Sequence, residues 1–179
     1  MTEPLRPTPA KTYGRENWIY IPTIASATLA PTVAEITAAS ALDITRIAFS
    51  GDEPNLNSTT NRVKLDRRAG DTEVYEFIGE TTYEGGECVM QFSPQAASGA
   101  DGKKAWEKFV AGTTGFLAKR EDVARATTPV AGQFLSSVVP VEFGPPVPTK
   151  KGDGESGQGA FKVTWAVTDA PAFNVAVLA

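Results

Sequence analysis

The strongest constraint on the fold is a strict alternation of side chains near the carboxyl end of the sequence, in residues 160–168. Large apolar residues occupy every second position and alternate with polar residues. The apolar set is Phe161, Val163, Trp165 and Val167, and the polar set is Lys162, Thr164 and Thr168. Successive side chains of a β-strand point to opposite faces, so this period predicts a strand with one face on the core. Half-buried strands are typical of antiparallel sheets. The segment therefore favours a mainly antiparallel β-protein.

Similar apolar and β-branched segments recur along the chain, and turn-forming residues separate them. The other predicted strands are 17–21, 42–50, 73–79, 87–92, 115–120 and 133–143. Gly85-Gly86 predicts a hairpin turn between two of them. Pro140 indicates a sheet edge or a bulge, because proline has no amide hydrogen to donate. The apolar segment 173–178 predicts a C-terminus that docks on the domain.

Helical patterns are rare in this sequence. An apolar stripe at helical spacing contains Ala105, Trp106, Phe109 and Val110, with Asp101 as the predicted N-cap and Gly112 as the predicted stop. Trp106 and Phe109, together with Trp165, are predicted core anchors that pack this helix on the sheet. Thr32 and Glu35 have capping-box spacing and predict one further helical turn.

Strands and helices do not alternate regularly, so no parallel βαβ architecture is indicated. The predicted fold is an antiparallel β-sandwich or barrel with one flanking α-helix. With 179 residues the chain fits one domain. That domain is predicted to span 15–179, after an extended, proline-containing N-terminal arm at 1–14 that is either mobile or docked on a neighbouring subunit.

Two polar connections interrupt the predicted strands. The segment 144–159 is rich in proline and glycine, and its glycines lack the Gly-Lys-Ser/Thr ending of a phosphate loop. The segment 51–70 is too long for an idle loop in a compact domain. Val63 and Leu65 alternate with charges, so its second half is either a short strand or an arm. Its charged residues are either a solvated face or a contact between subunits: Asp52, Glu53, Arg62, Lys64, Asp66, Arg67 and Arg68.

The composition argues against catalysis and against metal binding. The sequence has no histidine, which is the commonest general base at neutral pH, and only one cysteine, Cys88. The usual zinc sites need such ligands, so no catalytic, metal or cofactor site is predicted. A formal net charge of -4 does not favour nonspecific DNA binding. Neither a secretory signal nor a stretch of about 18 apolar residues is found, which predicts a soluble protein with no membrane partner.

Several segments in a fixed order resemble the major tail tube proteins of long-tailed bacteriophages, especially those of phages that infect actinobacteria. They are WIYIPTIA at 18–25, APTVAEIT at 30–37, ALDIT at 41–45, WEKFVAGTTGFL at 106–117, GQFLSSVVPV at 132–141 and FKVTW at 161–165. The resemblance implies a β-sandwich or barrel subunit with a flanking helix. It also implies that six subunits close into a ring, that inner hairpins of neighbours join into one barrel, and that stacked rings form a hollow tube for DNA ejection.

The implied partners are further copies of the chain, the tape measure protein and the tail terminator, with DNA passing through without specific binding. The implied location is the virion tail, after assembly in the cytoplasm of the bacterial host. Glu80, Glu84 and Glu87 are expected to face the lumen, because no lysine or arginine occurs between Glu73 and Phe92. The alternative is that their hairpin lies on the outer wall.

Other functions remain open at this point. A tail terminator, a head–tail joining protein or a capsid decoration protein would have a similar size and β content. A monomeric β-sandwich that binds a ligand is the alternative from another class. Electron microscopy of the purified protein would separate these functions by showing tubes, single rings or monomers.

Overall fold

The computed structural model describes residues 14–70 and 72–179, so the predicted arm at 1–14 lies outside them except for Gly14. The strands are β1 (Asn17–Ile21), β2 (Leu42–Asp43), β3 (Asn57–Lys64), β4 (Glu76–Glu84), β5 (Gly86–Gln91), β6 (Thr113–Arg120), β7 (Phe134–Phe143), β8 (Val147–Lys151), β9 (Gln158–Val167) and β10 (Ala172–Ala176). The helices are α1 (Val33–Thr37) and α2 (Asp101–Lys108), with a 3-10 turn at Gly154–Ser156. The named strands pair antiparallel, and the predicted mainly antiparallel fold is confirmed.

Eight of the strands form one curled sheet, a half-barrel, in the order β2-β1-β6-β7-β9-β5. β10 pairs with the first half of β7, and β9 pairs with the end of β7. Pro140 lies between these two pairings, after Val138 and before Val141. Pro140, which has no amide hydrogen, therefore lies at the point of β7 where pairing with β10 ends and pairing with β9 begins. β7 is a central strand of the sheet and not an edge strand.

The first core cluster fills one face of the sheet and is covered by α2 and the turn at 44–47. Phe109 is fully buried, with its ring centroid 4.3 Å from that of Phe143 and 5.1 Å from that of Tyr20. Trp106 is half-buried and stacks on Phe92 with centroids 4.4 Å apart. Trp165 is also buried in this cluster. The end of α2 is thus held to the sheet by aromatic packing.

The second core cluster fills the opposite face, under α1 and the C-terminal segment. The predicted capping box is present: Glu35 N donates to Thr32 Oγ1 at 3.2 Å, and Thr32 N donates to Glu35 Oε2 at 2.7 Å. The hydrogen bond from the Thr32 backbone lowers the pKa of Glu35. Val177 is buried here, and Leu178 N donates to Pro31 O at 2.9 Å, so the C-terminal segment docks beside α1.

Three local predictions were wrong. α2 begins at Asp101 itself, so Asp101 is not the N-cap; its carboxylate pairs instead with Arg46, with Oδ2 and Nη2 3.2 Å apart. Of the strand predicted at 42–50, only Leu42–Asp43 forms, because Asp43 Oδ1 accepts from Arg46 N at 3.2 Å and turns the chain. The connection at 144–159 contains a strand, β8, which pairs along β9.

The hairpin turn predicted at Gly85-Gly86 was also wrong. Gly85 is the single residue between β4 and β5, so the two strands follow each other with no turn. A Cβ atom on Gly85 would lie 2.0 Å from Trp165 O, well inside van der Waals contact. Glycine is therefore needed here for close approach of two backbones, not for reversal of the chain. β4 instead forms a hairpin with β3, which ends at Lys64 while β4 begins at Glu76.

Candidate assembly surface

A two-stranded hairpin projects from the sheet, and we call it the arm: β3, β4 and their connection, residues 57–84 without residue 71. Among the described residues its strands pair only with each other. Eight residues at about 3.3 Å each make β3 roughly 26 Å long. The segment 51–70 is therefore not a loop throughout, because more than a third of it is strand β3.

Short polar contacts across the two strands hold the arm together. The Oγ1 atoms of Thr60 and Thr81 lie 3.0 Å apart, and Lys64 Nζ lies 3.9 Å from Glu76 Oε1. The register shifts between the Thr60 and Arg62 pairs, which marks a β-bulge. Bulges increase the local twist of a hairpin, so this one sets the direction in which the outer half of the arm points.

Both faces of the arm are open to solvent. Every residue of β3 except Val63, and every residue of β4 except Gly79 and Tyr83, is exposed. An isolated two-stranded hairpin is marginally stable in water, because it has no core of its own. The arm therefore has the form of an element that is completed by another molecule.

The outer end of the arm is strongly apolar, and we call this surface the apolar tip. It consists of Leu65, Val74, Tyr75, Phe77 and Ile78, with exposed fractions of 50%, 55%, 61%, 48% and 69%. These are five of the eleven exposed large hydrophobic residues in the part of the chain that the structure describes. A cluster of exposed apolar side chains on one projection is a mark of a protein-binding surface.

The apolar tip was missed in the sequence, where 73–79 was predicted to be a strand without any special surface role. The signal was present in the pairs Val74-Tyr75 and Phe77-Ile78, because two adjacent apolar residues in a strand face opposite sides. A strand that is apolar on both faces needs burial on both faces. In the arm the subunit itself supplies neither.

Both edges of β5 are closed, whereas several other strands of the body and both strands of the arm have an open edge. β5 pairs with β9 on one edge, and the segment 47–52 closes the other: Phe49 N donates to Val89 O at 3.0 Å, and Gln91 N donates to Ile47 O at 2.8 Å. In the described residues β2, β3, β4, β8 and β10 each have one edge with no strand beside it. Open edges favour pairing with another chain, so these five strands have edges available for such pairing.

The structure divides the predicted charged contact residues into two groups. Asp52 and Glu53 belong to the body: Asp52 pairs with Lys151 of β8 and accepts from Val89 N, and Glu53 Oε2 accepts from Gly51 N. Arg62 and Lys64 lie on β3, and the remaining three lie in the exposed connection at the apolar tip: Asp66, Arg67 and Arg68. Only the second group lies on the arm.

The three acids predicted for the lumen are all exposed, but their surroundings differ. Glu80 and Glu84 lie on β4, and no ion pair is found for either among the described residues. Glu87 lies on β5, and its Oε1 is 3.2 Å from Lys162 Nζ of β9. The segment from Glu73 to Phe92 contains no lysine or arginine, but Lys162 on the neighbouring strand β9 supplies a positive charge beside Glu87. Glu87 therefore contributes less free negative charge than Glu80 and Glu84.

The body has a second exposed apolar region near the base of the arm. Phe173 of β10 is 52% exposed, and its ring centroid lies 6.0 Å from that of Tyr83 in β4. Val130, Phe134 and Leu178 are exposed where β7 pairs with the end of β10. The arm thus leaves the body beside an open sheet edge that also carries apolar side chains.

Reactive groups are scarce around these surfaces. Burial raises the pKa of the Cys88 thiol to about 12. No group of three or more histidine, cysteine or acidic residues in the described ranges could hold a metal ion. Neither α1 nor α2, the two α-helices seen in 14–70 and 72–179, is long and apolar enough to cross a membrane.

A family model described as phage tail tube protein matches residues 4–179. No curated protein matches the chain.

Proposed function

We propose that this chain, which belongs to the phage tail tube protein family, binds copies of itself to form stacked rings. The rings surround the channel through which DNA is ejected. The family match makes the protein a structural component of the virion tail. The observation that carries this proposal is the arm. It is a hairpin with two solvent-facing sides, two open edges and an apolar tip. Each of these features is completed by a second copy.

Burial of the apolar tip provides the driving force. A fully buried large apolar side chain contributes about 1.5–3 kcal/mol, and each of the five side chains is already about half covered. One docked arm would then contribute roughly 4–8 kcal/mol before the cost of association is subtracted. A subunit in a closed ring both gives an arm and receives one, so the effect is repeated at every interface.

Ring closure also accounts for the open edges. A head-to-tail contact between identical subunits generates a ring when the rotation closes, and the number of six is what the family resemblance implies. In such a ring the arms of neighbours lie edge to edge, and β3 and β4 gain partners that the subunit alone does not provide. The charged residues of the connection beside the apolar tip, Asp66, Arg67 and Arg68, then contact an adjacent subunit or the next ring.

For the lumen we propose the exposed acids Glu80 and Glu84, with Glu87 as a lesser contributor because Lys162 is paired with it. Repeated around a ring, these carboxylates repel the phosphate backbone, so DNA slides without binding. Lysine at positions 80 and 84 should leave tubes intact and slow ejection, and added salt should relieve the defect. Unchanged ejection from such tubes would place these acids on the outer wall.

The proposal extends to the partners and the place of assembly. A tube of defined length needs a tape measure protein inside it and a terminator at its end, and both would meet the ring faces that the arms leave open. Assembly in the bacterial cytoplasm agrees with a single buried cysteine and no disulfide.

The decisive experiment removes the apolar tip without touching the body. Phe77→Ser with Ile78→Ser should leave the urea unfolding midpoint of the unassembled subunit nearly unchanged, because both side chains are exposed and neither belongs to a core cluster. The same variant should form no tubes in negative-stain images at concentrations where the unmodified protein does. A matched control is Val110→Ser, which removes an equally exposed apolar residue outside the arm.

Normal tubes from the double variant would exclude the arm as the assembly element. Loss of tubes in the Val110 control as well would show a general loss of solubility rather than a specific contact. Replacement of the whole segment 52–68 is a poor test, because Asp52 seals the edge of β5 and β3 supports β4.

A further inference from the structure

A cavity of about 240 Å³ lies between the start of β1, β2, the end of β6 and the segment after it. Its polar lining includes Asn17, Thr37, Asp43, Arg120, Arg125, Thr127 and Thr128. It is separate from the arm, and nothing in the proposed tube function assigns a role to it.

Arg120 is the most unusual residue of this cavity. It ends β6, pairs with Asn17 of β1, and is only 1% exposed. Nη2 donates to Arg125 O at 3.4 Å, but Nε and Nη1 have no partner in the described residues. A buried cation is costly unless its donors are satisfied, so the native protein needs acceptors at this point.

The other polar groups of the cavity do not meet this need. Asp43 interacts with Arg120 over a distance but makes no ion pair with it within 14–70 and 72–179, and its Oδ1 accepts from Arg46 N. Asn17 is 4% exposed, and its Oδ1 is likewise buried without a partner. Two residues of the cavity wall, Arg120 and Asn17, thus carry buried polar atoms without a partner in the described residues: donors on Arg120 and an acceptor on Asn17.

The balance of charge favours a negative group. Arg120 and Arg125 face one carboxylate, Asp43, so the lining has one positive charge in excess. Burial raises the pKa of Asp43 and lowers that of Arg120, which are the directions expected of charges that water does not fully stabilise. Hydroxyl groups of Thr127 and Thr128 offer further donors at the same cavity.

We propose that this cavity is an oxyanion site, in which a carboxylate or phosphate group accepts hydrogen bonds from Arg120 and Arg125. The group has two sources of the same chemistry: a free anion from solution, or an acidic side chain of a neighbouring copy. Both satisfy the guanidinium, which prefers planar oxyanions as acceptors. Ordered water is the competing occupant, and the experiment separates it from an anion.

The test uses the unmodified, unassembled subunit labelled with nitrogen-15. The Nε resonance of Arg120 is followed by NMR while sodium acetate, and separately sodium phosphate, replaces sodium chloride at constant ionic strength. The Arg120 signal should shift and saturate with each oxyanion, whereas the signal of Arg62 on the exposed arm should not saturate. A flat response of Arg120 would overturn the proposal and leave water as the occupant.

A variant gives an independent measurement. Arg125 is exposed, so Arg125→Gln should fold like the unmodified protein and bind acetate about five-fold more weakly. Arg15→Gln is the matched control, because Arg15 is exposed and does not line the cavity. Equal acetate affinity in all three proteins would count against the proposal.

The same anions distinguish the two sources. If a neighbour's carboxylate fills the site, acetate at constant ionic strength should compete with it and slow tube growth. If a free anion fills it, saturating acetate should leave tube growth unchanged. Because the NMR titration needs no assembly, failure of the tube proposal would not affect it.

Discussion

β4 and β5 follow each other along the chain, yet they lie in opposite environments. In β5, Cys88 and Met90 are fully buried and both strand edges are paired. In β4, both faces are in solvent and one edge is open. Only Gly85 separates them. The position of a strand therefore decides its role. A strand that is paired and buried in the main sheet stabilises the subunit, whereas a strand in the arm is available for contact with another subunit.

The largest contrast should be in thiol reactivity. Burial raises the pKa of the Cys88 thiol to about 12, so almost none of this thiol is ionised at pH 8. An exposed cysteine has a pKa of about 8.5. A maleimide should label Cys88 more than about a thousand-fold more slowly than the new thiol in Glu84→Cys. Equal labelling rates in the folded subunit would remove the distinction between the strands.

The next contrast concerns stability. Met90→Ala should lower the free energy of unfolding by about 2–5 kcal/mol, because a fully buried side chain leaves a cavity. Ile78→Ala, in β4 and 69% exposed, should change it by less than about 0.5 kcal/mol. Urea unfolding of unassembled protein measures both. A large loss at position 78 would mean that the arm packs on the body in solution.

The junction itself should be intermediate. Gly85→Ala places a Cβ atom against Trp165 O and should destabilise the subunit by about 1–3 kcal/mol, because two backbones must separate. Gly70→Ala is the control, since a Cβ atom there meets nothing within 4 Å. If thermal unfolding shows the two variants to be equal, Gly85 does not hold the strands together.

The smallest contrast should be between the surface ion pairs. Glu87→Gln breaks the pair with Lys162 in the body, and Glu76→Gln breaks the pair with Lys64 in the arm. Each should change the free energy of unfolding by less than about 0.5 kcal/mol, because exposed pairs are screened by solvent. A decrease of more than about 1 kcal/mol in the free energy of unfolding at either site would show that the ion pair stabilises the folded subunit.

Local patterns predicted the fold where a single element determines its own structure. The alternation at 160–168, the capping box at Thr32 and the mainly antiparallel class were all confirmed, and the family resemblance is confirmed by the match to the tail tube model. Each depends on periodicity or on contacts between residues close in sequence.

Long-range contacts explain most of what the sequence did not reveal. Gly85 appeared to be a turn because its constraint is Trp165, eighty residues away. The charge of Glu87 appeared free because Lys162 lies on another strand. The Arg120 cavity is assembled from three separate segments, and no local pattern marks it.

The two ends of the arm lie close together at its base. A Cβ atom on Gly86, where β5 begins, would lie 3.9 Å from Asn55 O, just before β3. The arm is therefore an insertion in the body, because the chain leaves the body and returns to it at the same place. Insertions with adjacent ends can lengthen, shorten or exchange sequence at little entropic cost to the rest of the domain. Evolution can thus alter how subunits meet while the body keeps the same core.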